Sequence, residues 1–370
     1  MTLILIFAAV LCLAFANGAN DNFKGVATLF GSGTTNYRRA LAWATITTFL
    51  GSITAVLLAG QLLRSFSGKG LVSNELVASA DYGAAVAFGA GLTVLLAARL
   101  GMPISTTHSL VGALIGAGYV AGSAISLGKL GGGFLAPLLF SPVLALAATV
   151  VSYPILTRTR HRWGITSQTC LCVGNETVEV VSTADNTLAL QRAKQLSVQT
   201  GNLVTCQSRY HGKMLGVDAT TVLDRLHFLS AGLVSFARGL NDTPKIAALL
   251  LLAPSLGNNG STALVGIAIA IGGLVSARRV AETMSHNITA MNHGQGFTAN
   301  LITGLVVIVA SRFGLPVSTT HVSCGSLFGL GAVTQQANWP VVGKILTAWL
   351  VTLPTAAMIG GVCFWIISSI

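Results

Sequence analysis

The stretch RLGMPISTTHSLVGALIGAG at 99–118 returns as RFGLPVSTTHVSCGSLFGLG at 312–331, with 11 of 20 positions identical and no gap. A second pair lies upstream of each copy. AFANGANDNFKGVATL (14–29) aligns with SFARGLNDTPKIAALL (235–250), sharing Phe, Ala, Gly, Asn, Asp, Lys, Ala and Leu in register. Two ungapped matches in the same order point to an internal duplication, a common construction of transporter folds.

Composition decides the environment of the duplicated unit. Only 8% of the 370 residues are charged and 52% are hydrophobic, with 42 glycines besides. A soluble domain carries about 25% charged residues, so a polytopic membrane protein is the reading. The chain holds apolar stretches near 2–31, 40–63, 82–100, 102–119 and 132–156, and again near 224–252, 261–277, 296–311, 315–333 and 341–367. Each approaches the ~20 helical residues needed to cross a hydrocarbon core of ~30 Å. Strands would show ten-residue alternation instead, so the fold class is an all-α polytopic membrane protein. It comprises two helical halves with broken or re-entrant helices and a small soluble central insert. The divisions are 1–157, a first membrane repeat; 158–221, a cytoplasmic insert with a little β structure; and 222–370, a second membrane repeat. The opening run 1–16 lacks the basic flank of a signal peptide and reads as a retained first helix.

Five crossings per half is an odd number, which makes the repeat inverted; a re-entrant 102–119 would change that parity. With both termini outside, Arg38, Arg39, Arg99, the eight basic residues from Arg158 to Arg225, Arg278, Arg279 and Lys344 face the cytoplasm. Arg64, Lys69, Lys129 and Arg312 face out, fourteen against four, as the positive-inside rule asks. Lys24, Arg238 and Lys245 fall inside membrane segments. The formal charge of +11 is thus spread over loop ends and not gathered into a patch, and no nucleic-acid partner is expected. The six cysteines show no zinc-type spacing, Cys170-X-Cys172 included, and are read as unpaired cytosolic thiols.

Asp21 and Asp242 occupy matching positions in apolar segments, where a carboxylate costs roughly 3 kcal/mol. Each follows an asparagine, Asn20 or Asn241, and comes three residues after Gly18 or Gly239, which favour a helix break or close packing. Lys24 and Lys245 follow three residues later and can share a helix face with their aspartates, forming local ion pairs. Snorkelling to the interface would be the other use of such a lysine. The Pro-X-Ser-Thr-Thr-His elements, Pro103–His108 and Pro316–His321, look like helix starts. Ser105, Thr106 and Thr107, with Ser318, Thr319 and Thr320, would place hydroxyls beside free backbone N–H groups at the positive end of a helix dipole, a fit for an oxyanion. Simple capping accounts for one hydroxyl per copy and leaves the others. His108 and His321 are read as structural, although a proton relay is chemically open to them.

These residues resemble the inorganic phosphate transporter (PiT) family, the sodium- or proton-coupled phosphate permeases. The anchors are GAND at 18–21, GLND at 239–242, PISTTH and PVSTTH, together with VAETMSHNITAMNHGQGFTANL at 280–301. The resemblance covers both membrane halves and excludes the insert. It implies an inverted-repeat secondary transporter, usually a homodimer, taking up phosphate with a cation; lean loops and no targeting presequence point to a cell (inner) membrane location. By position, Asn20, Asp21, Asn241 and Asp242 match the family's ion and substrate sites, and the two Ser-Thr-Thr triplets match its phosphate-binding helix starts.

The chain departs from the family pattern in three places. Lys24 and Lys245 stand where Asp-X-X-Asn is usual, and Asn300 where glutamate is usual. These changes remove features associated with cation sites and predict proton-coupled or otherwise less sodium-dependent transport. Two aspartates and two lysines give a neutral centre without metal. The competing readings are a sulfate or related oxyanion permease and, in another class, a phosphate sensor that moves nothing. Phosphate can offer a proton and sulfate cannot, which favours phosphate beside a carboxylate. No enzymatic activity or cofactor is expected.

Overall fold

The computed structural model describes residues 2–58, 60–184, 187–209, 214–252 and 257–369. Two compact units emerge, one from 1–153 with 227–370 and one from 154–226.

In the larger unit, α1 (Thr2–Asp21) breaks after the aspartate, passes a 3₁₀ turn at Lys24–Val26 and resumes as α2 (Ala27–Gly31). Then come α3 (Tyr37–Leu58), the short α4 (Gly60–Ser65) and α5 (Asn74–Val77), α6 (Ala80–Arg99) and α7 (Thr106–Val120). A π-helical turn at Lys129–Leu135 leads into α8 (Ala136–Arg162).

The smaller unit holds β1 (Thr169–Ala184), β2 (Thr187–Asn202), α9 (Leu203–Arg209) and β3 (Met214–Asp218), an antiparallel sheet in the order β2-β1-β3. The β1–β2 register sets Cys170 opposite Gly201, and β3 sets Asp218 opposite Cys170.

The second half follows with α10 (Ala219–Ala247), a 3₁₀ turn at Ala248–Leu252, α11 (Gly257–Ser276), α12 (Arg278–Glu282), α13 (His293–Arg312), α14 (Thr319–Thr334) and α15 (Trp339–Ser368). Local chemistry starts these helices. Ser79 caps α6, Asn292 and Gln295 form a capping box on α13, and Asn338 caps α15.

Among the described residues, six helices are long and apolar enough to cross a membrane, or seven if one bent pair counts as a span. The remaining apolar stretches of the sequence fall outside that set on helix length and charge. α7 and α14 have 15 and 16 residues, about 22 and 24 Å at ~1.5 Å per residue, short of the ~30 Å core. α10 carries Arg238, Asp242 and Lys245 inside its apolar run.

The unpaired-thiol reading is also corrected. Cys172 and Cys206 form a disulfide, with a Cα separation of 6.1 Å, and Cys170 is buried in the same cluster. Alternation along β1 puts Cys170 and Cys172 on one face, and α9 lays Cys206 across it. That closure spans 34 residues and has no signature in local spacing.

The halves interlock by close backbone approach. A methyl group added to Gly18 on α1 would strike the Ile269 carbonyl of α11, and one added to the matching Gly239 on α10 would strike the Thr48 carbonyl of α3. These glycines therefore serve close packing, and α10 runs unbroken through Asp242. α7 meets α15 and α14 meets α8 in the same reciprocal way.

Candidate functional site

The sequence motifs meet in the middle of the larger unit. Ser105 and Ser318 cap α7 and α14, each hydroxyl accepting from the N–H of the histidine three residues on (3.1 and 3.2 Å). Capping absorbs the acceptor side of both serines and leaves each O–H free to donate. The next residues turn toward the aspartates. Thr106 Oγ1 donates to Asp21 Oδ2 at 2.9 Å, and its counterpart Thr319 to Asp242 Oδ2 at 3.4 Å.

Both lysines point inward, and neither snorkels. Lys24 Nζ forms an ion pair with Asp21 and has Asn20 Oδ1 (2.6 Å), Thr320 Oγ1 (2.7 Å) and the Ile104 carbonyl (2.9 Å) within reach of its three N–H groups. Lys245 Nζ donates to the Val317 carbonyl (2.7 Å) and Thr107 Oγ1 (2.8 Å), with Asp242 Oδ1 at 3.5 Å. The pattern is reciprocal. Each lysine touches the helix start of its own copy through a carbonyl and that of the other copy through a threonine. The threonines repeat it, Thr320 Oγ1 donating to the Ile104 carbonyl (2.9 Å) and Thr107 Oγ1 to that of Val317 (3.4 Å). Asn20 and Asn241 anchor the same loops, donating to the carbonyls of Met102 (2.9 Å) and Val317 (3.2 Å). All twelve predicted residues are buried, Thr319 being the most open at 6%.

Two further residues at the centre lie outside the set that the motifs predict. Arg238 is fully buried on α10; its guanidinium donates to Asn17 Oδ1 and Asn22 Oδ1, both at 3.0 Å, and its Nε stands 3.7 Å from Asp242 Oδ2. Asn17 is its aligned counterpart in the first copy, and its Nδ2 reaches Asp21 Oδ2 (2.8 Å) and Asp242 Oδ2 (3.4 Å). The available signal was a charged residue within an apolar run, opposite an uncharged one in the repeat. Counting Arg238 changes the formal balance from neutral to one net positive charge.

Behind the helix starts, the His108 and His321 rings sit 4.5 Å apart, and His321 stacks on Trp349 at 3.8 Å. Asn300 lies apart from the aspartates, donating to Thr28 Oγ1 at 2.7 Å, where His227 Nε2 also meets that hydroxyl. A cavity of about 560 Å³ lined by Ser67, Lys69, Asn74, Tyr82, Leu114 and Ala248 adjoins the segment that follows Lys245.

Residues 17–360 match the family model described as the phosphate transporter family. The chain belongs to the phosphate transporter family. It is a multi-pass membrane protein. A Pyrococcus abyssi protein named as a phosphate permease is 28% identical, over 96% of this chain and 96% of its own. A Rhizobium meliloti protein named as a low-affinity inorganic phosphate transporter is 29% identical, over 97% of this chain and 95% of its own. Among solved structures, one titled the sodium-dependent phosphate transporter superposes with a TM-score of 0.76 at 23% identity, covering 100% of this chain and 99% of that one. At that identity the likeness speaks for the shared fold.

Proposed function

We propose that this chain is a secondary transporter of inorganic phosphate, with the anion held between the starts of α7 and α14 and with little or no dependence on sodium. The supporting observation is the reciprocal seating of Lys24 and Lys245 on those helix starts (2.7 Å to Thr320, 2.8 Å to Thr107). Two helix N-termini, the two serine hydroxyls and two ammonium groups converge there as donors suited to a tetrahedral oxyanion, while the four threonine hydroxyls are turned to the aspartates and loop carbonyls. Asn20, Asp21, Asn241 and Asp242 orient that set, and the carboxylates of Asp21 and Asp242 can accept a proton from phosphate. Coupling is then to protons, or transport is passive, because a tethered ammonium cannot leave with the substrate.

The two halves are proposed to be inverted repeats that rock about the shared site, and the chain to act as a homodimer, as its family resemblance implies. The 158–221 insert is assigned to the cytoplasm on the distribution of Lys and Arg.

Counterflow of labelled phosphate in proteoliposomes tests the reading. A transporter exchanges label across the bilayer, and excess sulfate competes weakly. A sensor shows binding without flux, and a sulfate permease is blocked by sulfate as well as by phosphate.

A further inference from the structure

The two copies differ in charge at a point where they touch. Asn17 and Arg238 occupy the same position of the repeat, and in the fold they contact each other, Arg238 Nη2 donating to Asn17 Oδ1 at 3.0 Å. They therefore mark the line along which the two halves meet.

Both carboxylates converge at the same place. Asn17 Nδ2 lies 2.8 Å from Asp21 Oδ2 and 3.4 Å from Asp242 Oδ2, so one amide nitrogen bridges two buried anions. Such anions repel, and a low-dielectric interior strengthens the repulsion. Each has its own lysine, but those ammonium groups are drawn outward to the helix starts by Ile104 and Val317. The guanidinium of Arg238 fills the inner side, fully buried, with Nε free of hydrogen bonds and aimed at Asp242 Oδ2 from 3.7 Å. Arginine keeps its charge under essentially all conditions. Three of its four remaining N–H donors go to Asn17, Asn22 and Thr48, which fixes its place.

We infer that Arg238 is a built-in central cation that neutralises the converging aspartates and leaves the site one net positive charge, so that the anion binds without a mobile metal ion between the two carboxylates. The inference rests on the phosphate reading above and deepens it. Arg238 acts through Asn17 and Asp242 as a positioning residue, with no contact to the substrate required.

The test compares phosphate binding by the purified protein in choline and in sodium buffers. In the unmodified chain, affinity should agree within about twofold between the two cations. Arg238→Asn gives the second copy the residue that the first copy carries; it should lose about tenfold or more in choline and recover in sodium, as a mobile cation takes the vacated place. Arg238→Lys should keep sodium-free binding. A purely structural arginine predicts equal loss in both buffers, and that result would overturn the inference, as would wild-type affinity of Arg238→Asn in choline. Should Arg238→Asn fail to fold, Arg238→Gln runs the same comparison. Absence of phosphate binding in the unmodified chain, in either buffer, would instead sink the phosphate reading.

Discussion

Lys24 and Asp21 are each almost wholly buried, at 3% and 1% exposure, and neither charge has water to turn to. Removing one partner of such a pair typically destabilises by about 3–5 kcal/mol, because the other is left uncompensated. Lys24→Asn should therefore lower the melting temperature in choline, and sodium should restore part of it by occupying the place beside Asp21. Equal melting temperatures in the two buffers would show that the pocket cannot take a small cation. The serines behave differently. Ser105→Ala with Ser318→Ala removes two caps, at about 0.5–2 kcal/mol each, so the double variant should melt earlier. It should also bind phosphate more weakly, since one hydroxyl donor per copy is lost. Unchanged affinity in protein that is still folded would move the anion away from the helix starts.

Elements carry the symmetry that residues only hint at. The tight crossings of α1 on α11 and α10 on α3 depend on Gly18 and Gly239, as small residues permit at membrane interfaces. Gly239→Val should separate α10 from α3 and abolish uptake, with loss of monodisperse protein in detergent; normal yield and uptake would refute the packing account. Asp218, at the start of α10, accepts from Thr220 and Thr221, and those bonds hold its carboxyl down to about 2. A lowered folded value stabilises above the ordinary carboxylate range and is lost as pH falls toward 2. Asp218→Asn should flatten that part of the acid unfolding curve, followed by circular dichroism.

Much of this level was legible in the sequence. The repeats located the break after Asp21 and both helix starts because glycine, proline and hydroxyl residues act locally, but not the continuity of α10 through Asp242. Helix length was not legible, since the loops at 99–105 and 312–318 are as apolar as the helices that they enter, so α7 and α14 read as full spans. Nor was the Cys172–Cys206 closure, which depends on how α9 folds back. Arg238 was visible as a charge, but its partner Asn17 lies 221 residues away, and only the fold brings them together.

At the scale of the whole molecule, the two halves form one compact unit around a shared charged centre, and the proposed orientation of that unit rests on the charges of its loops. An impermeant thiol reagent applied to intact cells should leave Ser167→Cys unmodified if the insert is cytoplasmic. Ser167 is exposed and so reports orientation where the buried native cysteines of the insert do not. Rapid labelling would reverse the topology.

The central claim is that fixed cations do the work of mobile ones, and uptake of labelled phosphate into proteoliposomes with sodium replaced by choline tests it most directly. The account predicts that uptake by the unmodified protein persists in choline, and that Lys24→Asn with Lys245→Asn makes uptake respond to sodium. Strict dependence of the unmodified protein on sodium would contradict it.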